Sequence, residues 1–270
     1  TLKSSDGKQV SIQYYNSKES RREPPISRFV ECKYFCTQYV PEKRTMFLRL
    51  NKMNDRELLR HWYQNHPELS KELGKPLDEY LEDIPILRKT VEKMAIEMNE
   101  KGEEKLVVDL RRNGGGNSLM GDIFLFFLTN QNEIKSFSSI VRKNEMIMKG
   151  FKPSAVGDYQ FEKSPNIFTS LFDDLKARNI YLDASKKGLW QGKIFLLVGE
   201  NTFSSGSWLA ALVQDNQLGV VIGQPTGGSA TAFGDVLDFR LPMTGIEGSV
   251  SHKYFIRPDD KKSPGLERNL

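Results

Sequence analysis

Leu106-Val107-Val108-Asp109-Leu110-Arg111-Arg112-Asn113-Gly114-Gly115-Gly116-Asn117 is the stretch on which the reading of this chain turns. Five residues, apolar but for Asp109, have the length and composition of a buried strand. A run of three glycines follows. Leu119, Ile123, Phe124 and Phe127 then recur at helical spacing, with Asn117 or Ser118 as N-cap. The unit is strand, glycine turn, helix. A turn of this kind exposes backbone N–H groups at the positive end of a helix dipole, which suits an anion, either a phosphate or the oxyanion of a tetrahedral intermediate. The other reading is a tight turn of purely structural use. The phosphate reading fails on detail, because no Lys-Ser/Thr pair follows the last glycine and the dinucleotide spacing is not met.

The same grammar recurs downstream. Ile194 to Val198 reads as a strand, Gly199-Glu200-Asn201-Thr202-Phe203-Ser204-Ser205-Gly206 as a turn, and Trp208, Leu209, Ala211 and Leu212 as a helix. A third strand, Leu218 to Ile222, enters Gly223-Gln224-Pro225-Thr226-Gly227-Gly228-Ser229. Strands alternating with helices predict an α/β core. Ser204 falls where a strand passes into a helix. Such a serine is either an N-cap or a nucleophile beside the N–H of Ser205. An anion-binding turn and a serine-bearing turn in one core together fit acyl transfer better than either does alone. No base is marked: the Gly-x-Ser-x-Gly pattern is absent, Ser5 to Lys8 straddles a turn, and His61, His66 and His252 sit in unremarkable contexts.

Upstream, residues 54–102 read as helical, most clearly where Ile84, Leu87, Val91, Met94, Ala95 and Met98 recur, with Gly102 as the stop. Phe29 to Tyr39 and Thr45 to Leu50 are strand candidates. The alternation Val30, Cys32, Tyr34, Cys36 on a strand would separate the two cysteines by roughly 13 Å, so both are expected to be free buried thiols. Residues 15–28, charged and carrying Pro24-Pro25, read as a linker, and residues 1–14 as a hairpin about Asp6-Gly7. The net charge of +4 is dispersed, with no basic block of the kind that binds nucleic acid. No apolar run approaches the ~20 residues of a membrane-spanning helix. No metal-ligand set is visible, and no cofactor is expected.

Three blocks resemble a known family. Val107 to Gly116 is similar to the "DLRGNPGG" signature of the carboxyl-terminal processing and tricorn-type serine peptidases, the S41 peptidases. Phe195 to Asp215, with Thr202-Phe203-Ser204-Ser205 at its centre, resembles their nucleophile segment, and Val220 to Gly228 their next block. The blocks keep the family's order and cover roughly residues 100 to 235. The resemblance implies a crotonase-like (ClpP/crotonase) fold of repeated ββα units. It implies Ser204 as nucleophile and an oxyanion hole from Ser205 and either Gly115 or Gly116. Its implied substrate is a peptide or protein, and its implied location extracytoplasmic or secreted. The opening hairpin resembles the end of a PDZ-like domain, which leaves residues 29–270 as a catalytic domain truncated at its C-terminus.

The processing branch carries a catalytic lysine in the loop after the third block. Here no lysine lies between Gly223 and Gly234, and Ser229 stands in its place. That resembles the tricorn-type branch, whose base is a histidine upstream, here before residue 1, and whose glutamate would correspond to Glu267. Two rival readings share the same motifs: a non-catalytic binding relative, and an enzyme of acyl-thioesters that needs no nucleophilic serine.

Overall fold

The computed structural model describes residues 2–3, 9–10, 31–142, 159–162 and 166–262. The chain divides into two compact units, residues 1–31 and 32–270. In the first, β1 (Leu2–Lys3) pairs antiparallel with β2 (Gln9–Val10), Leu2 opposite Val10. Both strands fall within residues 1–14, where a hairpin is expected. Its turn, the linker over 15–28 and the chain from 263 onward, including Glu267, lie outside the described residues.

In the second unit, β3 (Phe35–Val40) and β4 (Thr45–Leu50) form an antiparallel pair. The helices α1 (Arg56–Asn65), α2 (Pro67–Ser70), α3 (Leu77–Leu81) and α4 (Leu87–Glu100) follow. Pro67 and Pro76 lie at the breaks between them, where proline is compatible with a first turn but not an interior. α4 stops as expected. Gly102 adopts φ +61°, its N–H donates to Asn99 O at 3.1 Å, and Glu103 N–H donates to Met98 O at 2.8 Å. That pair of bonds is a Schellman motif.

Next come β5 (Lys105–Asp109), α5 (Leu119–Leu128), β6 (Ser138–Arg142), β7 (Tyr159–Glu162), α6 (Ile167–Lys176), β8 (Lys193–Val198), α7 (Ser205–Asp215), β9 (Gly219–Gly223), β10 (Ala232–Arg240) and β11 (Glu247–Ile256). One sheet has the order β3-β4-β5-β8-β9, and β4, β5, β8 and β9 run parallel. A second, antiparallel sheet has the order β10-β11-β6-β7. Leu48, Leu50, Leu106, Val108 and Leu196 are wholly buried in the first sheet. Apart from the half-buried Asp122, α5 is apolar and buried along its length, as a helix must be when covered on more than one side. It packs on α4, α6 and α7.

Two expectations are corrected here. The core is not a repeated ββα array. β5 and β8 each pass straight into a helix with no second strand, and the strands that would have completed such repeats form the separate antiparallel sheet. The cysteines are not free thiols either. β3 begins at Phe35, the chain bends at Lys33-Tyr34, and the Cα atoms of Cys32 and Cys36 come to 6.2 Å, where the two side chains form a disulfide. A full strand would have kept them apart. The bend is held by Tyr34, whose carbonyl accepts the N–H groups of Asn51 and Lys52.

Candidate active site

β5 and β8 are adjacent and parallel, so the turns leaving their C-terminal ends lie side by side, where open parallel sheets place their sites. Thr202 laces the two together. Wholly buried, its hydroxyl donates to Leu110 O at 2.8 Å and accepts from Gly199 N–H at 3.0 Å. Phe203 N–H donates to Asn113 O at 2.8 Å. Ser205 Oγ donates to Gly116 O at 2.7 Å.

Asn113 is the hub of this arrangement. It is completely buried; its Nδ2 donates to Leu50 O at 2.8 Å and its Oδ1 accepts Gly115 N–H at 2.9 Å. It therefore joins the end of β4, the glycine turn and the serine turn. Gly206 must lack a side chain, since a Cβ there would stand 2.7 Å from Asn113 Oδ1. Met53 is the second support. Its N–H donates to Gly115 O at 2.9 Å, and its carbonyl accepts Asn117 N–H at 2.6 Å. Residue-by-residue reading passed over Asn113, Thr202 and Met53. Only Asn113 carried a signal, an Asn two residues before a glycine, which favours an Asx-type turn.

Ser204 occupies φ +50°, ψ −126°, a conformation that a residue with a Cβ adopts rarely. It precedes α7, yet its side chain caps nothing and is exposed. Gly115, at φ +100°, faces it so closely that a Cβ there would stand 2.6 Å from Ser204 Cβ and 3.2 Å from its Oγ. Glycine is required at 115 on both counts. The N–H of Gly115 is taken by Asn113. The peptide between residues 115 and 116 is held through its carbonyl by Met53, so the N–H of Gly116 points away from that bond. Gly116 is exposed. Ser205 is the first residue of α7, where an N–H has no partner within the helix.

The loop from Gln224 to Ser229 lies against the serine turn. Gly227 N–H donates to Thr202 O at 3.0 Å, and a Cβ at Gly228 would stand 3.3 Å from Ser204 N. Among the described residues no hydrogen bond reaches Ser204 Oγ. His252 lies on β11 with Nε2 3.5 Å from Asp235 Oδ2. His61 and His66 belong to α1 and its end, where His66 stacks on Trp62. Below the glycine turn, burial pushes the Asp109 carboxyl up, but the hydrogen bonds and charge of Arg111, with the charge of Arg49, outweigh it and leave the carboxyl below its usual range.

Residues 81–237 match the model of peptidase family S41. The chain belongs to peptidase family S41. That span holds both turns, Ser204 and the glycine loop at 223–229. Solved structures agree at the level of fold. A candidate peptidase from Parabacteroides merdae superposes with a TM-score of 0.52 at 13% identity, over 89% of this chain and 58% of its own. Mature CPAF gives 0.50 at 17%, over 83% and 46%. The photosystem II D1 C-terminal processing protease gives 0.46 at 14%, over 89% and 48%. Together with the family match, the first two likenesses place the fold with structures of the S41 and processing-protease type and not with a crotonase-like repeat. The chain spans about half the length of the solved structures it matches. Comparison with curated proteins finds no significant match.

Proposed function

We propose that this S41 family member hydrolyses peptide bonds through an acyl-enzyme on Ser204, with the N–H groups of Ser205 and Gly116 as the oxyanion hole. The observation that carries the reading is the backbone of Ser204. A serine serving only as a helix cap has extended backbone and spends its hydroxyl on the helix. Ser204 has the strained, left-handed φ of a sharp strand-to-helix turn and a hydroxyl left exposed beside Gly115. Of the two glycines considered for the hole, Gly115 has its N–H engaged by Asn113, which favours Gly116.

In the reaction Ser204 Oγ attacks the scissile carbonyl carbon while a base takes the hydroxyl proton. The carbonyl oxygen becomes an oxyanion held by the two amides. Collapse breaks the C–N bond, the amine leaves with the proton, and water then hydrolyses the ester. With no lysine from 223 to 234, the base is assigned as in the tricorn-type branch, to a histidine before residue 1, with Glu267 as its partner. Residues 29–270 are then the catalytic domain, and the hairpin at 1–14 the end of a PDZ-like one. The Cys32–Cys36 disulfide supports an extracytoplasmic location, where such bonds persist. Alkylation of the native protein should label neither cysteine before reduction and both after it.

Ser204→Ala in the parent protein should lower peptide hydrolysis by about 10³-fold or more, with unchanged folding by circular dichroism. Hydrolysis at the wild-type rate would refute the reading. A second reading, a non-catalytic binding relative, draws on the absence of a hydrogen-bonded base at Ser204 among the described residues. Labelling the parent protein with a fluorophosphonate separates the two, because only an activated serine reacts.

A further inference from the structure

Phe203, the residue before Ser204, is fixed by its backbone and open at its side chain. Its N–H donates to Asn113 O at 2.8 Å, and its carbonyl accepts Gly206 N–H at 3.0 Å. The ring nevertheless remains 53% exposed. On one side it rests against Gly228, where an added Cβ would stand 3.0 Å from Cδ2 and 3.2 Å from Cε2. Gly228 is held in turn, by the bond from Gly227 N–H to Thr202 O and by Thr226 Oγ donating to Gly228 O at 2.6 Å.

Single exposed aromatic side chains are ordinary on protein surfaces and need no explanation. Three features set this one apart. The backbone bonds to both turns fix the position from which the ring projects. Its contact with the loop is close because residue 228 is glycine, where an added Cβ would crowd the ring edge. Gly228 lies against both the ring and the strained Ser204, since a Cβ there would stand 3.0 Å from the ring and 3.3 Å from Ser204 N. We infer that the Phe203 ring is a specificity-determining wall, which receives an apolar side chain of an extended peptide lying across Ser204. This rests on the peptidase reading for its purpose. The apolar surface of the ring supplies the attraction, since covering it removes apolar area from water on both partners.

The test is binding, so it does not depend on turnover. The full chain with Ser204→Ala is titrated with alanine-based hexapeptides, acetylated and amidated, that differ at one central residue: Phe, Leu, Ala, Glu or Lys. The Phe and Leu peptides should bind about tenfold more tightly than the other three. Phe203→Ala should flatten that preference and Phe203→Leu should keep most of it. If Phe203→Ala unfolds the protein, Gly228→Ala, which crowds the ring, should weaken the preference instead. Equal binding of all five peptides, no binding of any, preference for a charged peptide, or a preference that survives loss of the ring would each overturn the inference. A preference for Phe and Leu that is lost with the ring, in a protein whose wild type shows no Ser204-dependent hydrolysis, would sink the peptidase reading alone.

Discussion

Asp122 stands in the first turn of α5, among Leu119, Met120, Ile123 and Phe124. The residue is half-buried. Burial first, and the charge of Asp174 on α6 second, push its pKa up to about 8. In the unfolded chain an aspartate titrates near ~4. Between those values the folded state holds a proton that the unfolded state has released. Stability is therefore full below the unfolded pKa and is lost as pH rises through the folded one. Asp122→Asn keeps the shape and removes the titration. Calorimetry should find the variant's Tm several degrees above wild type at pH 8, with the advantage shrinking toward zero at pH 4. An equal difference at both pH values would contradict the buried-acid account. Position by position, the site shows the same rule of environment over identity. Ser204 and Ser205 are neighbours of one type, yet among the described residues one is exposed with no partner for its hydroxyl and the other spends its hydroxyl on Gly116 O.

At the scale of elements, the helices on the β4 side depend on one carboxylate. Asp55 is 1% exposed and accepts Leu58 N–H at 2.9 Å and Leu87 N–H at 3.0 Å. It thus caps α1 and α4 together, two helices whose starts are some thirty residues apart in the chain. Burial raises its pKa against the opposing pull of those two hydrogen bonds. Asp55→Ala leaves two buried donors without an acceptor and should cost about 3 kcal/mol in urea unfolding. Asp55→Asn, which keeps one acceptor oxygen, should recover part of that. The double cap also bears on the site, since Met53, two residues before Asp55, holds the glycine turn from below.

Across the whole molecule, the two sheets meet through α7. Trp208 packs against Phe137 before β6 and Phe255 on β11, with ring centroids at 4.9 and 4.4 Å. At the far end of the helix, Arg257 and Asp215 form an ion pair with both side chains fully buried. Arg257 Nε and Nη2 donate to the two Asp215 oxygens at 3.0 and 2.6 Å, and Nη2 also reaches Gln214 Oε1 at 3.0 Å. Arg257 N–H donates to Thr231 Oγ1 at 3.1 Å, which ties in the loop that passes Ser204. Without Arg257 the buried Asp215 carboxylate keeps only Lys262 Nζ at 3.2 Å and Asp259 N–H at 3.1 Å as partners among the described residues. Arg257→Ala should therefore destabilise by about 3–5 kcal/mol, whereas Arg257→Met together with Asp215→Leu should cost much less. Equal losses in the two variants, measured by urea unfolding, would show that packing rather than charge holds the joint.

The sequence by itself determined whatever depends on neighbours along the chain. Helical periodicity located α4, and Gly102 marked its end, because a left-handed residue is needed there. The apolar runs located β5 and β8, and the glycines after β5 marked a turn that a side chain at Gly115 would close against Ser204. The α/β character and the S41 family were legible for the same reason, whereas the parallel pairing of β4, β5, β8 and β9 was not. What only the tertiary structure decided depends on residues far apart in sequence. Asn113 reaches Leu50, Thr202 reaches Leu110, and Arg257 reaches Asp215, across 63, 92 and 42 positions. No local pattern records such links. The separate antiparallel sheet replaced the expected ββα repeat because strand pairing is chosen by the packing of whole faces, not by the order of strands. The disulfide exists because a two-residue bend, held by Asn51 and Lys52, broke a strand that alternation alone would have continued.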